Sequence, residues 1–202
     1  MIEFELSIKD EGFDHIIGID EAGRGPLAGP VVASAVLVKD YQFTSKIADS
    51  KKISARQRES AFLEIMDKAH VGVGIISESV IDRINILEAT YLAMNNAALN
   101  VLERMNADRG SSNSCLLVDG NRFRTDLPTA YKTVVAGDSK SFSIACASIV
   151  AKVTRDRILL AYDSIYPEYG FKQHKGYGTL KHRQALIKHG PSLIHRKTFI
   201  HL

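Results

Sequence analysis

Cysteine is scarce, long apolar runs are missing, and acidic residues stop well short of the C-terminus. The 202 residues hold two cysteines, Cys115 in a strand-like run and Cys146 in a helix-like run. That count argues against a disulfide framework or a thiolate metal site, and fits free buried thiols in a reducing cytoplasm. No apolar run approaches the roughly 18 residues a membrane span needs, so no membrane partner is expected. The opening stretch MIEFELSIKDEGFDH is charged and has no apolar centre of the kind a signal peptide carries. Neither an internal repeat nor a low-complexity tract breaks the chain. At 45% hydrophobic content the length suffices for one full core, and a single domain, 1–202, is expected.

The missing acids matter most. After Glu168 there is no Asp or Glu, while Lys172, Lys175, Lys181, Arg183, Lys188, Arg196, Lys197 and five of the seven histidines follow. The formal net charge of +3 therefore conceals 19 basic against 23 acidic residues ahead of a wholly basic end. Such an end suits a polyanionic partner; a solvated basic face is the plain alternative. The histidines read as additions to that basic surface.

Periodicity supplies the elements. Ile16–Ile19 predicts a short buried strand, followed by a Gly/Pro-rich connection from Asp20 to Pro30, and the β-branched run Val31–Val38 a second strand. Ser54 to His70 predicts a helix with Ser54 as N-cap and Phe62, Leu63, Ile65 and Met66 on its apolar side. Val71–Ile76 predicts a third strand. Ile84, Leu87, Tyr91, Met94, Ala98, Val101 and Met105 recur at 3-and-4 spacing, which predicts a helix over Asp82–Met105. A polar loop is expected over Asp108–Ser114. Leu116–Val118 and Thr133–Val135 predict the fourth and fifth strands, Phe142–Tyr162 a helix rich in small residues, and Leu180–Lys188 a shorter one. The pattern is that of an α/β layer structure with a mixed sheet.

Four carboxylates stand where these strands end: Asp20 and Glu21 after the first, Asp119 after the fourth, Asp138 after the fifth. Ligand sites of open α/β sheets lie beyond the carboxyl ends of strands, near the point where strand order reverses. Parallel neighbours among these strands would bring the four acids together, and the cluster would repel itself unless a divalent cation intervened. Such hard oxygen donors suit Mg²⁺ or Mn²⁺ and not zinc. Asp119-Gly120 and Gly137-Asp138 are also ordinary turn dipeptides, so spacing alone leaves both readings open. Gly23-Arg24-Gly25 follows Glu21 closely; its glycines let the backbone approach a ligand, and Arg24 is able to fork onto a phosphate.

The stretch IGIDEAGRGPLAGPVVASAV resembles the signature of the ribonuclease HII family. The resemblance continues through Asp49-Ser50-Lys51-Lys52, Asn85 to Thr90, Leu117 to Asn121, GDSKSFSIACASIVAKVTRD, HKGYGT from His174, and HRKTF from His195. It implies an RNase H-like fold, a five-stranded mixed sheet flanked by helices with a small C-terminal helical segment. From about 165 to 202 that segment would be a basic substrate-binding part. The resemblance further implies a four-carboxylate catalytic and metal site of Asp20, Glu21, Asp119 and Asp138. Asp156 competes for the fourth place, but it lies mid-helix beside Arg155 and Arg157, where an ion pair is the better reading. The sister ribonuclease HIII family usually has an extra N-terminal binding domain, for which a first strand near residue 15 leaves no room.

An endoribonuclease is implied, acting on RNA–DNA hybrids and on single ribonucleotides in duplex DNA, as in ribonucleotide excision repair. The family's chemistry uses two Mn²⁺ or Mg²⁺ ions about 3.5–4 Å apart, with Asp20 as the expected bridge, and leaves 5′-phosphate and 3′-hydroxyl ends. Gly23, Arg24 and Gly25 together with Tyr177 would read the ribonucleotide at an RNA–DNA junction, the Tyr177 ring stacking on the next deoxyribose. Lys51 and Lys175 are candidates for phosphate contact, and a monomer is expected. A resolvase-like nuclease, or a binding module without catalysis, accounts less well for the acids and the junction-reading motifs together.

Overall fold

The computed structural model describes residues 1–109 and 113–200, with side chains of 106–109 left aside. Five strands form one sheet: β1 (His15–Ala22), β2 (Val31–Val38), β3 (Ala69–Ile76), β4 (Ser114–Asp119) and β5 (Ala130–Val134), in the order β3-β2-β1-β4-β5. β1 runs antiparallel to β2 and parallel to β4, and β4 runs parallel to β5. The first, fourth and fifth strands are thus parallel neighbours, as the placement of the acids requires. The helices are α1 (Ile2–Lys9), α2 (Ala55–Lys68), α3 (Glu78–Ile84), α4 (Ile86–Arg109), α5 (Phe142–Ile165), α6 (Phe171–His174) and α7 (Leu180–His189). The sheet is mixed and flanked by helices, in agreement with the expected class.

Alternation along the strands divides the core in two. Ile17, Ile19, Val31, Ala33, Ala35, Leu116 and Val118 pack on the α4 side against Ala89, Ala93, Ala97 and Val101. Val36 and Val38 turn the other way, against Ile65 of α2 and Ala145, Ile149 and Val150 of α5. Both faces are covered, so the central strands read as continuous apolar runs.

Several elements depart from their expected form. Asn85, at φ 66°, splits the helix expected over Asp82–Met105, and its Oδ1 accepts from the N–H groups of Leu87 and Glu88. The apolar stripe runs on through a residue that ends α3 and caps α4. On α2, Ser54 forms a capping box with Gln57, but Leu63 and Met66 point outward and Ala61 and Ile65 are the buried pair. β5 stops at Val134, and Val135 is exposed. α1 was not expected. Its Glu5 is buried and accepts from Ser141 Oγ, Ser143 N and Ser143 Oγ at 2.5–2.7 Å, a carboxylate seated where the α5 amides are unpaired. Of the loop expected over Asp108–Ser114, residues 110–112 lie outside those described; α4 extends to Arg109 and β4 begins at Ser114.

The start of α5 presses directly on β1. A Cβ on Gly18 would stand 2.2 Å from Ile144 N and Ser143 C, both main-chain atoms that cannot swing aside. Overpacking of this kind costs about 1–3 kcal/mol. Gly18→Ala is expected to lower stability by about 2 kcal/mol or more, read as a shifted denaturation midpoint at unchanged slope. An unchanged midpoint would mean that the β1–α5 contact yields.

Candidate active site

Asp20 and Glu21 lie within β1, opposite Ser34 and Ala33 of β2, and not after it. Asp119 is the last residue of β4, and Asp138 sits in a short 3₁₀ turn, Gly137–Ser139, just past β5. Asp119 Oδ1 accepts from Gly137 N at 2.7 Å, so one carboxylate anchors the turn that carries the next. Asp20 Oδ1 accepts from Glu21 N at 2.7 Å, and the side chain is 5% exposed.

These acids feel one another. Burial drives Asp20 well above the ordinary carboxylate range, and the charges of Glu21 and Asp119 add to it. Burial raises Glu21 as well, with Asp119 adding to the rise and Arg24, 3.4 Å away, opposing it. Asp138 is raised by burial and by Asp49 and Asp119, against Lys51 and Lys52. Burial works against a charged Lys51, yet the fields of Asp20, Asp49, Asp138 and Asp119 outweigh it and raise its amine. Lys51 therefore stands in the field of the whole cluster. Sequence reading missed Asp49, although the DSKK run containing it was in view.

Among the described residues, no three His, Cys, Asp or Glu side chains are drawn together tightly enough to close around an ion. Mutually repelling carboxylates, only partly balanced by Arg24, Lys51 and Lys52, stay apart. Their donors are all hard oxygens, which fits a divalent ion of the Mg²⁺ or Mn²⁺ type.

A cleft of about 290 Å³ joins Glu21 to Gly23, Arg24, Gly25, Lys51 and Tyr177. A larger one, about 630 Å³, is lined by α3, α4 and residues 124–127, with nothing from the strand ends. The floor of the smaller cleft rests on two arginines. Arg155 of α5, 1% exposed, donates from Nε to Pro30 O, from Nη2 to Ala28 O and from Nη1 to Lys175 O, all within 3.0 Å. Arg196, fully buried, donates to the carbonyls of Gly23, Arg24 and Gly29 at 2.6–2.9 Å. Neither has a carboxylate in contact among the described residues; the buried Glu78 acts on both at longer range, with Asp156 adding to it at Arg155 and Asp82 at Arg196. Burial and the charge of Arg155 lower Arg196 to about 10. With the Gly23 and Arg24 carbonyls taken, the N–H groups of Arg24 and Gly25 meet no acceptor among the described residues.

Asp156 forms an ion pair, as expected, but with Lys152 at 2.8 Å; Arg155 turns inward and Arg157 pairs with Glu59. The histidines depart further from expectation. His182 is fully buried and His195 is 2% exposed, so neither adds to a basic surface. Burial, then the field of His182, brings His195 down to about 4; burial also lowers His182. Both are neutral core rings. Tyr177 is 47% exposed, and a Cβ on Gly25 would lie 3.8 Å from its Cε1. Gly176, at φ 81°, carries this loop past Ala28, whose carbonyl a Cβ would meet at 2.4 Å.

A mixed sheet that brings carboxylates to the ends of its parallel strands, beside a cleft edged by unengaged amides, is the framework of an RNase H-like nucleic-acid hydrolase. The ribonuclease HII family model matches residues 17–202, and the chain belongs to that family, a metal-dependent ribonuclease. A ribonuclease HII of Ruminiclostridium cellulolyticum is 49% identical, covering 99% of this chain and 75% of its own length. That of Chlorobaculum parvum is 48% identical, covering 98% and 94%. The solved ribonuclease H2 of Pyrococcus horikoshii OT3 has the same fold, with a TM-score of 0.68 at 24% identity over 91% of this chain and 93% of that one. Family membership implies endoribonuclease activity on RNA–DNA hybrids.

The arginine clamp yields a direct test. Hydrogen bonds from charged donors contribute about 1.5–3 kcal/mol each, and lysine cannot reproduce the planar fork. Arg196→Lys is expected to destabilise the protein by about 3 kcal/mol or more by thermal unfolding. A shift under 1 °C would show that the loop holds its shape without the clamp.

Proposed function

We propose that this enzyme hydrolyses the RNA strand of RNA–DNA hybrids and also cuts at single ribonucleotides in duplex DNA, as ribonucleotide excision repair requires. Asp20, Glu21, Asp119 and Asp138 would hold two Mn²⁺ or Mg²⁺ ions. The observation that carries this reading is the single cleft running from Glu21 past Gly23-Arg24-Gly25 to Tyr177. Bound ions supply an acidified water and compensate charge at the leaving oxygen, so the products carry 5′-phosphate and 3′-hydroxyl ends. The chain's own groups do the rest. The free Arg24 and Gly25 amides meet the 2′-hydroxyl, the mark that separates RNA from DNA. The Tyr177 ring stacks on the sugar that follows, and Lys51 steadies phosphate charge beside the acids. The segment from about 165 to 202 extends the substrate path with Lys172, Lys181 and Arg183. In this reading the protein acts as a monomer in a reducing cytoplasm, where its two free, buried cysteines stay unpaired.

Asp20→Asn and Asp119→Asn are each expected to abolish cleavage of a hybrid with either metal. Asp20→Asn carries a second signature. A carboxylate whose pKa is raised by folding costs stability as pH climbs from its unfolded value, about 3.9, through its folded one. At pH 7 in EDTA the Asn variant is therefore expected to melt higher than the parent. Retained turnover would sink the assignment, and Asp156→Asn disabling the enzyme while Asp138→Asn does not would mean the wrong fourth carboxylate.

Tyr177→Ala is expected to cost roughly tenfold on a junction substrate, since aromatic stacking on a nucleotide contributes about 1–3 kcal/mol. A uniform hybrid offers no deoxyribose at that place and suffers less. The measurement is the ratio of kcat/KM for a single-ribonucleotide duplex over a uniform hybrid; an unchanged ratio would leave Tyr177 structural.

A further inference from the structure

Tyr177 stands between Gly176 and Gly178, the two most flexible neighbours a residue can have. Its main chain is tied locally, by its own N–H to His174 O at 2.9 Å and by Thr179 N–H to its carbonyl at 2.8 Å. The glycines on either side are held through their carbonyls, Gly176 by Leu27 N–H at 2.8 Å and Gly178 by Arg183 Nε at 3.1 Å, while Tyr177's own carbonyl is tied inward, to His182 Nδ1 at 2.9 Å. His182 Nε2 lies 3.0 Å from His195 Nε2, and His195 Nδ1 lies 2.9 Å from Ser192 N and 2.8 Å from Ser192 Oγ.

The protons in this chain have one arrangement. Ser192 N–H is a donor only, so His195 Nδ1 is unprotonated and its proton sits on Nε2. The Tyr177 carbonyl is an acceptor only, so His182 carries its proton on Nδ1 and offers a lone pair at Nε2. The two requirements meet without conflict between the rings: His195 Nε2–H donates to His182 Nε2. A second proton on either ring would set donor against donor, and the burial of both rings opposes it as well. His174 stacks on His182 with centroids 4.4 Å apart and obeys the same logic, accepting from Gly176 N at Nδ1 and facing Tyr169 O with Nε2.

We propose that His182 and His195 are positioning residues for the enzyme's choice of junction: the one-way chain from Ser192 through both rings to the Tyr177 carbonyl fixes where the Tyr177 ring stands in the cleft. The inference rests on the reading of Tyr177 given above. It also gives these rings a role other than proton transfer, since both are packed in a cluster with Tyr169 and Phe171 and their ring nitrogens are engaged within the chain.

Asparagine at 182 places an N–H where Nδ1 stands and keeps the bond to Tyr177; leucine keeps the bulk and loses it. With 3-fluorotyrosine incorporated, the Tyr177 resonance is identified by its loss in Tyr177→Phe. In metal-free protein, His182→Leu is expected to shift or broaden it, and His182→Asn to leave it nearly as in the parent. On substrates, His182→Leu is expected to lower the junction-over-hybrid ratio about threefold or more, against the roughly tenfold that Tyr177→Ala removes. In a Tyr177→Ala background it is expected to lower the ratio no further. An unmoved fluorine resonance in His182→Leu overturns the proposal, whatever the substrates show. A moved resonance with no change of ratio in Tyr177→Ala overturns the reading of Tyr177 and leaves the positioning chain standing. If His182→Leu does not fold, His195→Leu, one link further from the loop, is read by the same two measurements.

Discussion

Two guanidinium groups without a carboxylate in contact hold this molecule's working end together. Burying such a charge is costly unless every donor finds a partner. Every guanidinium nitrogen of Arg155 and Arg196 has a partner among the main-chain carbonyls of Ala28 to Pro30, of Gly23 and Arg24, and of Lys175. The partners come from places far apart in sequence, so the loop after β1, the middle of α5 and the C-terminal segment are bound into one piece. The proposed recognition would follow from that constraint. A loop whose carbonyls are engaged on one side is left with amides on offer, and a ligand hydroxyl meeting them would find little ordering entropy left to lose.

The carboxylates obey the opposite logic. Asp20, Glu21 and Asp138 are each raised by burial and by a neighbouring acid, so the cluster destabilises the metal-free fold it sits in. The strands tolerate it because both faces of the sheet are filled, and because Asp119 draws some return from the Gly137 N–H. Lys51 reduces the repulsion without removing it. The cluster is a destabilising arrangement held by a stable frame, and in the proposed reading divalent cations would relieve its repulsion.

What the sequence revealed, and what it hid, divides along the range of the interactions. Strands Val31–Val38 and Ile16–Ile19, the Ser54 cap and the acids at strand ends were legible because alternation, capping chemistry and turn position are local. The break at Asn85 was not, since the apolar stripe that predicts one helix continues across a residue that both ends and begins a helix. α1 was missed because its role lies in Glu5, seated against an α5 start more than a hundred residues away. His182 and His195 were misread for the same reason, whereas His189 is exposed as expected and His201 lies outside the described residues. Clustered with lysines they resemble a basic surface, and nothing nearby in sequence says that His182 and His195 face each other inside a core.

Arg155 shows the limit most sharply. In the run VAKVTRDR it reads as one charge among several on an amphipathic helix, and its neighbours Asp156 and Arg157 do behave that way, the first in a partly buried ion pair and the second in a half-exposed one. One helical position separates a surface ion pair from a fully buried clamp. The difference is made by Gly23, whose missing side chain leaves the space that Arg155 fills: a Cβ there would lie 2.1 Å from its Nε. A glycine that sequence analysis prizes for approach to a substrate is thus equally needed for approach to an arginine. The two demands act on opposite sides of the same loop. Because the arginine secures one side, the other is left open, and in the proposed reading it is that face which meets a ribonucleotide, so the motif and the clamp are one structural unit seen from two faces.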